Sequence, residues 1–229
     1  MNRESLRRSC RITAALALSA GACASGGCQL LGFIAYTVQE STPKKVAGQY
    51  DGLPGQNFTV VVRADRAILA DFPGAADLIS INVNELLSAN LPEPKGTGET
   101  TGYIPPSRQL QWLANHPRWR AMMPAELGEE LQVSRLVVID IFSLQLHDAG
   151  NRFIWKGEAA GTVRVFAIDS ALPNDAVFET QVRVGFPPGE GHTAADYTAA
   201  QVQGALIERF ARRAAWLMYD HEEPRDLDF

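Results

Sequence analysis

Cysteine is confined to the first 28 residues, where Cys10, Cys23 and Cys28 are the only three in a chain of 229. From Gln29 to Phe229 there is none, so the body can hold neither a disulfide framework nor a thiolate metal site. Histidine is scarce and dispersed. His116, His147, His192 and His221 show no HExxH or HxH spacing, so no metal is expected. The sequence also lacks a Gly-x-Ser-x-Gly elbow, a Walker loop and a Gly-x-Gly-x-x-Gly turn, and Gly96-x-Gly98 stands in a Gly/Pro/Thr-rich stretch that reads as a loop. No cofactor is expected, and the chain is read as non-enzymatic.

Positive charge is in short supply as well. The formal charge is −5, and Arg3, Arg7, Arg8 and Arg11 sit in the first eleven residues against Glu4 alone. The remainder carries 17 basic and 25 acidic residues. Phosphate contacts need clustered Lys and Arg, so nucleic acid is excluded as a partner. The nearest basic run, Arg209, Arg212 and Arg213, is diluted by Glu208 and by the acidic tail.

What is present begins with an export signal. The basic stretch Arg7-Arg8-Ser9-Cys10-Arg11 precedes an apolar run from Ile12 to about Ala22, and small residues lead to Cys28. A cysteine after small residues resembles the lipobox of bacterial lipoproteins. Cys28, after Ser25-Gly26-Gly27, is the expected lipid-bearing residue, with Cys23, after Ala20-Gly21-Ala22, as the alternative. Neither has the aliphatic residue the motif prefers three positions upstream. Residues 12–39 hold no charge, so an uncleaved anchor of about 20 residues stays open, as does simple secretion. In each case the body faces away from the cytoplasm. The membrane is the expected partner of the lipid, in the cell envelope, with the outer membrane favoured over the inner.

The expected organisation is a signal at 1–28, an apolar start and Pro/Gly-containing tether at 29–56, a globular domain at 57–220 and an acidic tail at 221–229. Phe58-Thr59-Val60-Val61-Val62 reads as a buried strand. A helix of about 15 residues follows Gly74, with Leu78, Ile79, Val83, Leu86 and Leu87 on one face. Tyr103-Ile104 reads as a short strand. Pro105-Pro106-Ser107 starts a helix with Leu110 and Leu113 inward, and Pro124 opens another that runs to Leu131. Three strands follow: Leu136 to Phe142 and on toward His147, Arg152 to Asp169, and Ala176 to Phe186. Short loops join them into an antiparallel meander. Thr193-Ala194-Ala195-Asp196 has capping-box spacing and is expected to begin a last helix of about 25 residues. Its stripe is Leu206, Ile207, Phe210, Ala214, Leu217 and Met218, and Gln203, Glu208, Arg209, Arg212 and Arg213 should be wet. The order β-α-(β)-α-α-β-β-β-α predicts one mixed α/β (α+β) domain, with helices packed on a mixed sheet.

This order resembles envelope lipoproteins of the class that includes the outer-membrane activators of penicillin-binding proteins, the curli-export lipoproteins and the N-terminal domain of the Tol-Pal periplasmic protein. The phrases that carry the likeness are Ala125-Glu126-Leu127-Gly128-Glu129-Glu130-Leu131-Gln132-Val133, leading into Arg135-Leu136-Val137-Val138-Ile139-Asp140-Ile141, and then Phe153-Ile154-Trp155-Lys156-Gly157. Tyr50-Asp51-Gly52-Leu53-Pro54-Gly55-Gln56 is similar to a segment of planctomycete-type lipoproteins. The likeness spans roughly residues 50 to 215. It implies protein–protein contact in the envelope and transfers no named binding residue.

The leading expectation is therefore a membrane-anchored scaffold or regulator that binds an envelope protein. Trp119 with Arg118 beside it, Trp112 and Trp155 are the candidate contacts, since aromatic and Arg residues dominate interface hot spots. The competing reading folds Trp119 back onto the core. An enzyme using Asp140 and His147 on the sheet is one alternative, and a ligand- or lipid-binding subunit of a transporter is another. Asp140, inside an apolar strand, must face solvent or find a partner. Glu190-Gly191-His192 reads as a turn before the last helix.

Overall fold

The β-branched run around Val60 forms a central strand because it can be buried on both faces. In a computed structural model, which describes residues 43–92 and 101–223, β2 (Asn57–Ala64) hides Val60 and Val62 on one side and Val61 on the other. Before it stands β1 (Lys44–Val46). After it come α1 (Arg66–Asp71), α2 (Ala75–Asn90), β3 (Gly102–Tyr103), α3 (Pro106–Asn115), a 3-10 turn (Trp119–Ala121) and α4 (Pro124–Leu131). Then follow β4 (Arg135–Gln145), β5 (Gly157–Ala167), β6 (Ala176–Phe186), α5 (Ala199–Trp216) and β7 (His221–Glu223). Residues 45–221 form one compact unit; of the second, 1–44 with 222–227, only 43, 44, 222 and 223 are described.

The main sheet has the order β3-β2-β4-β5-β6. β2 runs parallel to both β3 and β4, whereas β4, β5 and β6 are antiparallel neighbours. The fold is thus the expected mixed one, with its three-strand meander.

Alternation along the strands divides the interior in two. Val60, Val137, Ile139, Val163 and Val184 point to the side packed by α2 and α5. Val61, Leu136, Val138 and Phe166 point to the other side, under Leu113, Trp119, Leu127 and Leu131. Two glycines of β5 let α5 lie close. A Cβ on Gly161 would stand 3.0 Å from Phe210 Cζ and 2.9 Å from the Asp140 carbonyl oxygen. One on Gly157 would stand 2.7 Å from Leu206 Cδ1. The stripe expected on this helix, Leu206, Ile207, Phe210, Ala214, Leu217 and Met218, is buried throughout.

Several expectations are corrected. The last helix begins at Thr198, whose hydroxyl and Gln201 form the capping box. Thr193 and Asp196 satisfy the same spacing but close a separate turn, with Asp196 accepting from the Thr193 N–H at 2.8 Å. That bond, from the backbone N–H of Thr193, holds the Asp196 carboxyl below its ordinary pKa. Arg209 is not free in solvent: it donates to Gly185 O at 2.9 Å and lies over the Phe186 ring. On α2, Leu78 is 48% exposed, and the buried row next to Ile79, Val83 and Leu87 contains Ser80 and Asn84. β5 starts at Gly157 and not at Arg152, because Asn151 Oδ1 accepts from the Phe153 N–H and turns the chain there, leaving Phe153 86% exposed. α1 was not foreseen; Asp65 caps it by accepting from the Ile68 N–H at 2.9 Å. Leu53 and Tyr50 lie in the segment read as tether, yet Leu53 is fully buried and Tyr50 packs on the core. The signal, the lipobox, the rest of the Gly/Pro/Thr-rich stretch (93–100) and the end of the acidic tail (224–229) lie outside the described residues.

Candidate functional site: the two edges and the open face of the sheet

A sheet presents unpaired N–H and C=O groups at its edges, and a buried edge must satisfy them. β3 covers β2 only at Asn57 and Phe58. Its neighbour Ile104 donates to Phe58 O at 3.1 Å, after which the edge would lie bare at Val60. Three buried side chains take over at that point. Asn84 Oδ1 accepts from the Val60 N–H at 3.2 Å. Val60 O accepts from Ser80 Oγ at 2.7 Å, Gln109 Nε2 at 2.6 Å and Asn84 Nδ2 at 3.3 Å. The three also bond to one another: Asn84 Nδ2 donates to Gln109 Oε1 at 3.2 Å, and Gln109 Nε2 to Ser80 Oγ at 3.2 Å. None of the three is more than 2% exposed. At Val60 the β2 edge is sealed from within.

β6 is the other edge. It pairs with β5 along its length, and among the described residues no strand lies on its far side. One carbonyl, Gly185 O, accepts from Arg209. The strand holds neither Lys nor Pro between Ala176 and Phe186, two of the residues that commonly keep an edge from pairing. Its outward residues Glu179, Gln181 and Arg183 are exposed, Val177 is 51% exposed, and Val182 and Val184 are buried.

Beside this edge the second face of the sheet is only half covered. α4 and the 3-10 turn cover its β2 and β4 half around Trp119. Beyond them runs a band of charge. Asp140 is ion-paired with Arg164, each side chain about a third exposed, so its oddity in the sequence resolves into a partner on a half-wet face. Arg164 stands across from Glu179 in the register, and Arg183 bonds Glu158 at 2.5 Å. Arg63, opposite Asp140 on β2, donates to Met122 O at 3.4 Å and lies 5.9 Å from the Trp119 ring. Burial lowers the pKa of Arg63 below its ordinary value; the nearby Asp140 opposes this, while Arg164 and Arg120 add to it. Phe142, at the β4 bulge, is 48% exposed.

A shallow cleft of about 290 Å³ lies near the end of β6, lined by Asp148, Lys156, Glu158, Arg183, Phe186 and Pro188 among others. Its charges are spoken for in pairs, Lys156 with Asp148 at 2.9 Å and Arg183 with Glu158. The Asp148 hydrogen bond holds the exposed Lys156 ammonium above its ordinary pKa. The cleft therefore presents no surplus charge of one sign to a ligand.

The residues singled out from the sequence are scattered by the fold. Trp119 is 4% exposed and belongs to the second core, which is the folded-back reading, with the Arg120 guanidinium 4.7 Å from its ring. It offers no ring to a partner. Arg118 is exposed, and Trp112 is half-buried and stacked on His116 at 4.0 Å. His147 stacks at 4.4 Å on Trp155, which is buried and not an exposed contact, and bonds Ile154 O, while Asp140 bonds Arg164, so the two candidates of the enzyme reading have separate partners. His192 bonds Pro188 O at 2.9 Å, and Glu190 is an exposed turn residue. Among the described residues no group of three His, Cys, Asp or Glu side chains is arranged to hold a metal ion, and no helix is long and apolar enough to cross a membrane. Cys23 and Cys28 lie outside the described residues. Sequence reasoning missed Ser80, Asn84 and Gln109; the signal that could have found the first two is their i, i+4 spacing beside an apolar row.

No family model matches the sequence, and no curated protein matches it. Solved structures do align with it. The PelC dodecamer from Paraburkholderia phytofirmans aligns at a TM-score of 0.40 and 10% identity, over 77% of this chain and 98% of that one. Lipoprotein GNA1162 from Neisseria meningitidis aligns at 0.41 and 8% identity, over 69% and 97%. A DUF330 protein from Xanthomonas campestris aligns at 0.34 and 15% identity, over 78% and 93%.

Proposed function

We propose that this chain is a non-enzymatic binding or scaffold domain, held on an envelope membrane by a lipid on Cys28, or on Cys23 in its place, and facing the periplasm or exterior. Its partner is a protein, held along the β6 edge and the half-wet face beside it. The observation that supports this reading most is the unequal finish of the edges. Val60 is sealed by three buried polar side chains, while among the described residues no strand pairs with the far side of the 11-residue β6. Backbone groups on such a strand supply affinity to an added strand, and alternate side chains supply specificity. Val177 on the strand itself and Phe142, two strands away on β4, add exposed apolar area. Arg118 and Trp112 remain secondary candidate contacts; Trp119 does not.

The test is capture of partners by the full lipidated chain from its native membranes, read by mass spectrometry, with Phe142→Asp as the comparison. A protein recovered by the parent and lost by a folded Phe142→Asp supports the reading. Identical recoveries from both contradict it. For the anchor, a palmitate analogue should label the parent and Cys23→Ala but not Cys28→Ala. The reverse pattern moves the lipid to Cys23.

A further inference from the structure

We propose that the β6 edge is occupied by the β6 edge of a second copy of this chain, antiparallel about a two-fold axis at Gln181. This rests on the reading of β6 as a contact edge and names its occupant. β6 runs from Ala176 to Phe186, so Gln181 is its midpoint. Pairing two such strands over their whole length puts each residue across from the one equally far beyond Gln181 in the other copy, as an isologous contact requires. In that register Glu179 faces Arg183 of the second copy and Arg183 faces its Glu179. Phe178 faces Val184, Thr180 faces Val182, and Gln181 faces itself.

The charges therefore complement one another twice in the one register that also uses the entire strand. Shifting the two strands by two residues sets Glu179 or Arg183 against Gln181 and loses both pairs. Residues 179, 181 and 183 are all exposed on the half-wet face, where such pairs can form. The Arg183 side chain is 63% exposed despite its bond to Glu158, so a second carboxylate can reach it. Phe178, Val182 and Val184 point instead to the side packed by α5 and stay in their own core. The pairing adds backbone hydrogen bonds without unpacking either copy. It joins two five-stranded sheets into one of ten.

The test uses the residue on the axis. The full chain is held in detergent with micelles in excess, so that two copies share a micelle only by contact, and mass is read by sedimentation equilibrium. The parent should dimerise at or below about 100 μM, a range in which a modest interface is populated. Gln181→Lys and Gln181→Glu each set like charges across the axis and should each weaken the dimer about fivefold or more. Mixed in equal amounts they should form a heterodimer stronger than either variant alone. Glu179→Arg should weaken the dimer, and Arg183→Glu placed in the second copy should restore the mixed pair. Since Gln181 is exposed, the circular dichroism of its variants should match the parent.

A parent that stays monomeric over that range overturns the self-pairing while leaving the capture of another protein to its own experiment. A parent dimer that both Gln181 variants leave intact overturns this register. So does a mixture that forms no heterodimer.

Discussion

The two edges of the sheet are finished by different means. At β2 the chain commits three polar side chains from two helices to the backbone N–H and C=O of one residue, Val60, and all three are buried. At β6, among the described residues, Arg209 takes Gly185 O and no strand pairs with the far side. A buried amide without a partner costs about 1–3 kcal/mol, so the Val60 edge, enclosed by α2 and α3, had to be satisfied inside the protein. The β6 edge borders solvent and faces no such demand. Where the fold encloses backbone the side chains are constrained, and where it does not, the edge stays free for a contact. This contrast is what supports the proposed contact on the β6 side.

Three substitutions sharpen this, taken in order of effect. Phe210→Ala removes the ring that packs on Gly161 beneath the middle of the sheet. It should cost about 3–5 kcal/mol in denaturant unfolding and touches the core shared by both edges. Asn84→Ala should cost about 2–3 kcal/mol, since it strands the Val60 N–H and an oxygen of Gln109 in a dry site. If it costs under about 0.5 kcal/mol, as a surface change would, the β2 edge is not sealed by this network. Gln181→Lys, on the exposed edge, should change monomer unfolding by less than about 0.5 kcal/mol while still weakening the dimer.

A pH dependence probes the start of β6, where Tyr50 packs against Phe178 with ring centroids 5.4 Å apart. Burial raises the pKa of Tyr50 above its ordinary value, with Arg135 opposing, and burial raises that of Tyr219. Both groups are then neutral in the folded protein at a pH where the unfolded chain ionises them. Their contribution is full below the unfolded value of about 10 and is lost as pH rises through the folded values. The unfolding midpoint should fall from pH 9 to pH 11, and the fall should be shallower in Tyr50→Phe. An equal slope in both would remove Tyr50 from this account.

Much of the fold was legible because it rests on periodicity. The bounds of β6 and α4 follow directly from their flanking loops and from Pro124, and the stripe of α5 follows from its 3.6-residue repeat. The cap of α5 was misplaced because Thr193-x-x-Asp196 and Thr198-x-x-Gln201 have the same spacing, and only the tertiary contacts of Tyr197 and Trp155 decide between them. The site was far less legible. Ser80, Asn84 and Gln109 carry no mark in the sequence, because a polar side chain does not announce a backbone partner 20 to 49 residues away. Trp119 between two arginines leaves both an exposed contact and a ring folded onto the core open in the sequence; its ring closes the second core while Arg63 and Arg120 lie near it. The openness of β6 is a property of sheet order, which no local pattern of residues encodes.

Amide hydrogen exchange, followed residue by residue at several protein concentrations, tests the contrast between the edges most directly. The account predicts that the Val60 amide is protected at every concentration. Alternate amides between Phe178 and Val184 should exchange fast in dilute protein and become protected as concentration rises. A Val60 amide that exchanges freely, or a β6 edge equally protected at all dilutions, would contradict it.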